Sequence, residues 1–73
     1  MRLLGLDPGL LATGWGVIDV DSNELSHVAN GVVRPNNEAP LSDRLATLYK
    51  ALNRIVVDFS PDEAAVEETF ANR

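Results

Sequence analysis

The sequence predicts an α/β fold in which one amphipathic helix crosses over a mixed β-sheet. Three observations lead to this prediction: a short apolar run near the N-terminus, two longer runs separated by a polar turn, and a later stretch whose apolar residues have a helical period. A fourth short apolar run follows the helical stretch. The expected order in these 73 residues is therefore three strands, a helix and a fourth strand.

The first three strands are predicted from their apolar content and from the breaks between them. Strand 1, Arg2–Asp7, is apolar on both faces, as a central strand is, and Pro8 should end it because proline cannot donate a ladder hydrogen bond. Strand 2 spans Thr13–Val20 and strand 3 spans Leu25–Arg34. The polar cluster Asp21-Ser22-Asn23 between them predicts an antiparallel hairpin.

A helix is predicted over about residues 41–59. Pro40 suits its first position, and Ser42 and Asp43 place acceptor oxygens and negative charge near the free N–H groups of the first turn. The apolar residues recur at spacings of three and four and should form one face: Leu41, Leu45, Leu48, Leu52, Ile55, Val56 and Phe59.

The crossover helix determines the predicted sheet topology. Ser60-Pro61-Asp62 should end the helix, and Glu63–Glu67 is predicted as strand 4. A helix between two strands of one sheet implies a right-handed crossover to a parallel neighbour. Strand 4 can then pair with strand 1 on the side away from strand 2, which gives the spatial order 3-2-1-4.

A carboxylate ends each strand of the predicted parallel pair. Asp7 follows the apolar residues of strand 1, and Glu67 follows Ala64-Ala65-Val66. Open α/β sheets place their sites at the C-terminal ends of their strands, so the two acids are expected side by side. Two acids at the ends of two neighbouring buried strands predict a metal site that Asp7 and Glu67 share.

The charge of the chain leaves the class of substrate open. Eleven acids against six bases give a formal net charge of −5, which by itself argues against a nucleic-acid binder. A metal-dependent nuclease also needs acids, however, and its basic surface can lie elsewhere in a longer chain. The charge therefore does not exclude a nuclease.

Neither secretion nor a membrane location is predicted. The apolar runs are far shorter than the ~18 residues of a membrane span, and the apolar stretch before Asp7 is too short for a secretion signal. The chain has no cysteine, which rules out disulfides and thiolate zinc sites and fits a reducing compartment. We therefore expect a soluble, cytoplasmic protein without a membrane partner.

Two motifs give the chain a family resemblance. The first is Gly5-Leu6-Asp7-Pro8-Gly9 with Thr13-Gly14-Trp15-Gly16-Val17, and the second is Phe59-x-Pro61-Asp62-x-x-Ala65-Val66-Glu67-x-x-Phe70. In this order and around this helix, they resemble the N-terminal part of the RuvC family of Holliday-junction resolvases, within the ribonuclease H-like superfamily. The resemblance runs from Arg2 to the last residue. It implies that residues 1–73 are the N-terminal part of a single nuclease domain, truncated before its remaining strand and helices.

The resemblance also implies the roles of particular residues. Asp7 and Glu67 match catalytic acids that bind magnesium in a two-ion site, where Mn²⁺ can substitute, together with two further acids beyond this chain. Phe70 matches an aromatic residue near the branch point that can stack on an exposed base. Asn72 and Arg73 are further candidates for DNA contact.

The implied activity is magnesium-dependent endonucleolytic cleavage of four-way (Holliday) DNA junctions in recombination and repair. By the same resemblance, the active protein is a homodimer that works with the branch-migration proteins RuvA and RuvB. Because half of the metal ligands are missing, the 73 residues alone are expected to be inactive.

Two alternatives come from other classes of protein. Sugar kinases and actin-like ATPases have a related fold and an Asp-x-Gly turn, which Asp7-Pro8-Gly9 fits loosely, and this would make the chain an ATP-binding domain. The strand that ends in Glu67 and the following Phe70 do not fit that class. The other alternative is a non-catalytic fragment that only folds or associates.

Three further residue assignments complete the predictions. Glu68 competes with Glu67 for the catalytic role, but strand alternation should turn its side chain to the opposite face. Leu10-Leu11-Ala12 stands where the family commonly has a basic or polar residue, so Leu10 and Leu11 are expected to pack against the core instead of contacting phosphate. His27 is expected to be a structural or surface residue of strand 3, on the face of Leu25 and Ala29.

Overall fold

In residues 1–9 and 11–67, which the computed structural model describes, one helix packs on one face of a four-stranded mixed sheet. The strands lie in the order β3-β2-β1-β4, with β1 antiparallel to β2 and parallel to β4. The predicted strand order and crossover helix are therefore confirmed. The elements are β1 (Arg2–Pro8), β2 (Thr13–Asp21), β3 (Glu24–Val33), α1 (Leu41–Phe59) and β4 (Glu63–Val66).

The ends of β1 and β4 differ from the predictions by one residue each. β1 continues through Pro8, which still pairs with β2, whereas Asp7 was the predicted end. Proline is tolerated there because its missing donor falls at the strand terminus. β4 ends at Val66, although the N–H of Glu67 still donates a hydrogen bond to the backbone oxygen of Leu6 at 2.8 Å.

A β-bulge in the β2–β3 hairpin changes which side chains share a face. Val28 has no partner of its own, while His27 and Ala29 pair with consecutive residues of β2. The prediction that His27 shares a face with Ala29 is therefore wrong, because the bulge places them on opposite faces. His27 lies on the face away from the helix, where its Nε2 is 3.0 Å from Oδ1 of Asn30.

The core lies between the sheet and α1. Its buried centre consists of Leu4, Val17 and Ile55, which are 2%, 0% and 6% exposed. The even-numbered residues of β1 therefore face the helix, and the odd-numbered ones face the opposite side. We call that opposite side the open face, because none of the described residues packs over it. Half-buried side chains surround the core centre: Leu6, Trp15, Val28, Leu52 and Phe59.

The helix α1 covers the sheet mainly with its second half. Pro40 is its N-cap residue and not its first helical residue, and Asp43 supplies the negative charge of the first turn. Leu41 and Leu45 remain 63% and 56% exposed, so the first part of the predicted apolar face is not covered by the described chain. Ser60, in the left-handed conformation with φ of 47°, ends the helix.

Within the described ranges, no helix has the length and apolar character needed to span a bilayer.

The indole of Trp15 accounts for a glycine in the neighbouring strand. Trp15 is paired with Gly31 across β2 and β3, and a Cβ placed on Gly31 would lie 2.9 Å from three indole atoms. The same indole contacts Phe59, with ring centroids 5.9 Å apart and the planes tilted by 45°. Trp15 is thus a residue that packs against the core and fills the space above Gly31.

Arg2 connects the start of β1 to three other elements. Its guanidinium donates two hydrogen bonds to the carboxylate of Asp19 in β2, Nε to Oδ1 at 2.8 Å and Nη2 to Oδ2 at 3.0 Å. Its Nη1 donates to the backbone oxygen of Phe59, the last residue of α1, at 3.0 Å. Its backbone N–H donates to Oδ2 of Asp62 at 2.7 Å, and its backbone oxygen accepts from the N–H of Asp62 at 2.8 Å. We call Arg2, Asp19, Phe59 and Asp62 the Arg2 clamp.

The Arg2 clamp should lose part of its stabilising effect in acid. The hydrogen bond from Arg2 lowers the pKa of Asp19 below its ordinary value of 3.8. The pKa of Asp19 is therefore lower in the folded protein than in the unfolded chain. The stabilisation is complete above the pKa of the unfolded chain and is lost as the pH falls through the pKa of the folded protein. Urea unfolding of the full-length protein should therefore show a smaller effect of Asp19→Asn at about pH 3 than at about pH 6. Equal effects at the two pH values would contradict this assignment.

Candidate active site

Asp7 and Glu67 lie side by side at one edge of the sheet. Leu6 is the register partner of Val66 in the parallel β1–β4 pair, and the N–H of Glu67 is bonded to Leu6. The next residue on each strand is an acid, and strand alternation places both acids on the open face. The structure thus brings the two predicted acids together, while their catalytic role stays a prediction.

The two acids line a pocket of about 500 Å³ on the open face. Its floor is made of small residues, because Gly5 pairs with Gly16 on one side and with Ala65 on the other. A Cβ placed on Gly5 would meet nothing within 4 Å among the described residues. The carboxylate of Asp7 therefore has free space beside it.

The chemistry of this pair fits a hard divalent cation. Both acids are exposed, and their carboxylates offer the oxygen ligands that magnesium takes. In the part of the chain that the structure describes, no group of three or more His, Cys, Asp or Glu residues is arranged to hold a metal. Magnesium commonly binds through one or two carboxylates together with waters and substrate phosphates. Asp7 and Glu67 can therefore supply the carboxylate ligands of such a site.

Several residues singled out in the sequence cannot be placed in this site. The candidates for DNA contact, Phe70, Asn72 and Arg73, lie outside the described residues, as do Glu68 and Leu10. These assignments therefore stay predictions.

Leu11 does not pack into the core as predicted. It is 62% exposed and lies in the turn after β1, where it lines a small pocket together with Leu41 and Leu45 of α1. The turn is closed by a hydrogen bond from the N–H of Gly9 to the backbone oxygen of Ala12 at 2.8 Å. The expectation of core packing at Leu11 is thus wrong.

The sequence reasoning missed three residues of the pocket as site residues. Gly14 and Gly16 are two residues apart in β2 and therefore share the open face with Asp7. Glycine weakens a strand and often marks a place where another group approaches the backbone, so this spacing was a usable signal. Asn30, opposite Gly16, also lines the pocket. Its face depends on the bulge in β3, which simple alternation cannot locate.

Comparison with solved structures identifies the class of fold. The structure is similar to Thermus thermophilus RuvC in complex with Holliday junction substrate, with a TM-score of 0.86 and 28% identity over 96% of this chain and 43% of that chain. The Aquifex aeolicus Ppx/GppA phosphatase shares the fold at 13% identity, with a TM-score of 0.68 over 90% of this chain and 25% of that chain. Together with the strand order, the RuvC likeness defines a ribonuclease H-like fold.

Sequence comparison narrows this class to one family. The family model for crossover junction endodeoxyribonuclease RuvC matches residues 3–73. The chain belongs to the RuvC family. The crossover junction endodeoxyribonuclease RuvC of Paramagnetospirillum magneticum is 60% identical over 72 residues, which are 99% of this chain and 43% of that relative. The chain thus spans less than half the length of the relatives that it matches.

Proposed function

We propose that the full-length protein is a structure-selective endonuclease that resolves four-way (Holliday) DNA junctions in recombination and repair by magnesium-dependent phosphodiester hydrolysis. The observation that carries this proposal is that Asp7 and Glu67 each follow a residue of the Leu6–Val66 register pair, in a chain of the RuvC family. The structural likeness to a RuvC that is bound to a Holliday junction supports the choice of substrate. In this proposal, residues 1–73 are the N-terminal part of a single nuclease domain that acts in the cytoplasm.

Asp7 and Glu67 would hold the magnesium ions, and Mn²⁺ could take their place. Bound magnesium supplies an activated water and stabilises the departing oxygen of the phosphodiester. The uncrowded backbone at Gly5 leaves room for a substrate phosphate to reach the pair.

The rest of the active assembly is inferred from the family. Further acids outside these 73 residues would complete the two-ion site, so the chain by itself would not cleave. Phe70 would stack on an exposed base near the branch point, and Asn72 and Arg73 would contact DNA. A homodimer would place two such sites symmetrically on a two-fold junction, in cooperation with RuvA and RuvB.

A cleavage assay with and without divalent cations tests the proposal. The full-length protein should cut a labelled four-way junction in Mg²⁺ or Mn²⁺ and stop cutting when EDTA removes the cation, because the site needs a bound cation to activate water. A linear duplex of the same sequence is the control substrate and should stay intact. Cleavage that continues in EDTA would refute the metal-dependent mechanism.

The melting temperature of the full-length protein distinguishes the nuclease from the ATP-binding alternative. The likeness to the Ppx/GppA phosphatase, at 13% identity, concerns the fold alone. ATP with magnesium should therefore leave the melting temperature unchanged, whereas a four-way junction should raise it. The reverse result would favour an ATP-binding domain built on the Asp7-Pro8-Gly9 turn.

A further inference from the structure

We infer that Arg2 is a positioning residue: it fixes the register between β1 and β4 and thereby keeps Glu67 beside Asp7. The inference concerns what holds the two acids together. Only one consequence rests on the proposed function: cation binding should weaken when the paired register of β1 and β4 is less populated.

The register between β1 and β4 determines whether the acid pair exists. Successive side chains of a strand point to opposite faces, so a slip of one residue would turn Glu67 from the open face to the helix side. β4 has only four residues, and all four are exposed in the described chain. A buried apolar face normally specifies the register of a strand, and β4 has no such face among the described residues. Other contacts must therefore hold it.

The Arg2 clamp supplies these contacts at the start of β4. Asp62, the residue before β4, is held by both backbone groups of Arg2. The carbonyl of Phe59, at the end of α1, is held by the guanidinium of the same residue. Only Ser60, Pro61 and Asp62 separate the helix from the strand, so one residue of β1 fixes both ends of the connection.

Asp19 and the helix terminus explain why arginine suits this position. The carboxylate of Asp19 accepts two parallel hydrogen bonds from the guanidinium, a geometry that fixes the orientation of the planar group. The remaining Nη1 is then directed at the backbone oxygen of Phe59. α1 has no basic residue in its own last turn, and a cation is favourable at that end of a helix. Lysine would keep the charge but could not make these three contacts together.

Disulfide cross-linking measures the register without relying on metal binding. The chain has no cysteine, so Asp7→Cys and Glu67→Cys can be introduced together into the full-length protein, with any cysteine elsewhere replaced. Adding Arg2→Met removes the guanidinium contacts and keeps the backbone contacts to Asp62. It should slow disulfide formation between positions 7 and 67 about fivefold, because the paired register is less populated.

A second arginine provides the matched control. Arg54 also forms an ion pair, with Asp58 at 3.3 Å, but this pair lies on the exposed side of α1 and four residues apart in the same helix. Arg54→Met should leave the cross-linking rate unchanged. Should Arg2→Met not fold, Arg2→Lys allows the same comparison and should also cross-link more slowly than the parent.

Manganese affinity of the protein with both acids intact is the second measurement. Arg2→Met should weaken Mn²⁺ binding about fivefold, whereas Asp7→Asn should remove most of it. If the parent protein and Asp7→Asn bind Mn²⁺ equally, the proposed metal site fails, and the cross-linking rate still decides the role of Arg2. An unchanged cross-linking rate in folded Arg2→Met would overturn the inference, even if its melting temperature falls, because a merely stabilising residue would give that result.

Discussion

Asp7→Asn and Glu67→Gln in the full-length protein should each slow cleavage of a four-way junction by at least about a hundredfold, the scale of losing one group that stabilises charge in the transition state. Each amide keeps the shape of the acid and removes the negative charge that binds a cation. Junction binding should change little, because affinity for DNA depends mainly on contacts to its phosphates. Single-turnover cleavage in Mg²⁺ and gel-shift binding in EDTA measure the two effects separately.

Glu63→Gln is the matched control for this prediction. Glu63 starts β4 and Glu67 directly follows this strand, on the same face; both are exposed, but Glu63 pairs with Leu3 and lies away from Asp7. Its loss should leave cleavage unchanged, because it is not part of the acid pair. Full activity of either acid variant, or an equal loss in Glu63→Gln, would refute the assignment of the pair.

The acid pair could be predicted because local signals determine it. Each acid directly follows an apolar run, and the helix between the two runs requires a parallel crossover, which brings the ends of both strands to one edge. These signals depend on the period and order of the elements and not on individual contacts. Strand order and the neighbourhood of Asp7 and Glu67 therefore follow from the sequence.

The Arg2 clamp could not be predicted in the same way. Its other members lie 17, 57 and 60 residues from Arg2 in sequence, and no spacing rule connects them to it. In the sequence alone, Arg2 is only a charged residue at the start of an apolar strand.

The bulge at Val28 could not be predicted either, because the position of an extra residue in one strand depends on how the two strands pair. The bulge places His27 on the face opposite to Ala29, where its ring contacts the side chain of Asn30.

The glycines of the sheet fall into two groups with different physical reasons. Gly31 is required by the chain itself, because the indole of Trp15 occupies the place of its side chain. At Gly5, Gly14 and Gly16, an added Cβ would find no described atom closer than 4.0 Å. Glycine weakens a strand, so these three are not explained by the packing of the described chain. They lie in the pocket beside the acids, where a side chain would take up the space of a bound group.

Gly31→Ala should lower the free energy of unfolding of the full-length protein by about 1–3 kcal/mol, the usual cost of overpacking a well-filled site. The new Cβ would stand 2.9 Å from the indole of Trp15, and the ring would have to move against Phe59 to make room. Urea unfolding of four proteins measures this coupling: the parent, Gly31→Ala, Trp15→Leu and the double variant. In the Trp15→Leu background the clash is absent, so Gly31→Ala should cost much less there. Equal costs in both backgrounds would show that the indole does not account for the glycine.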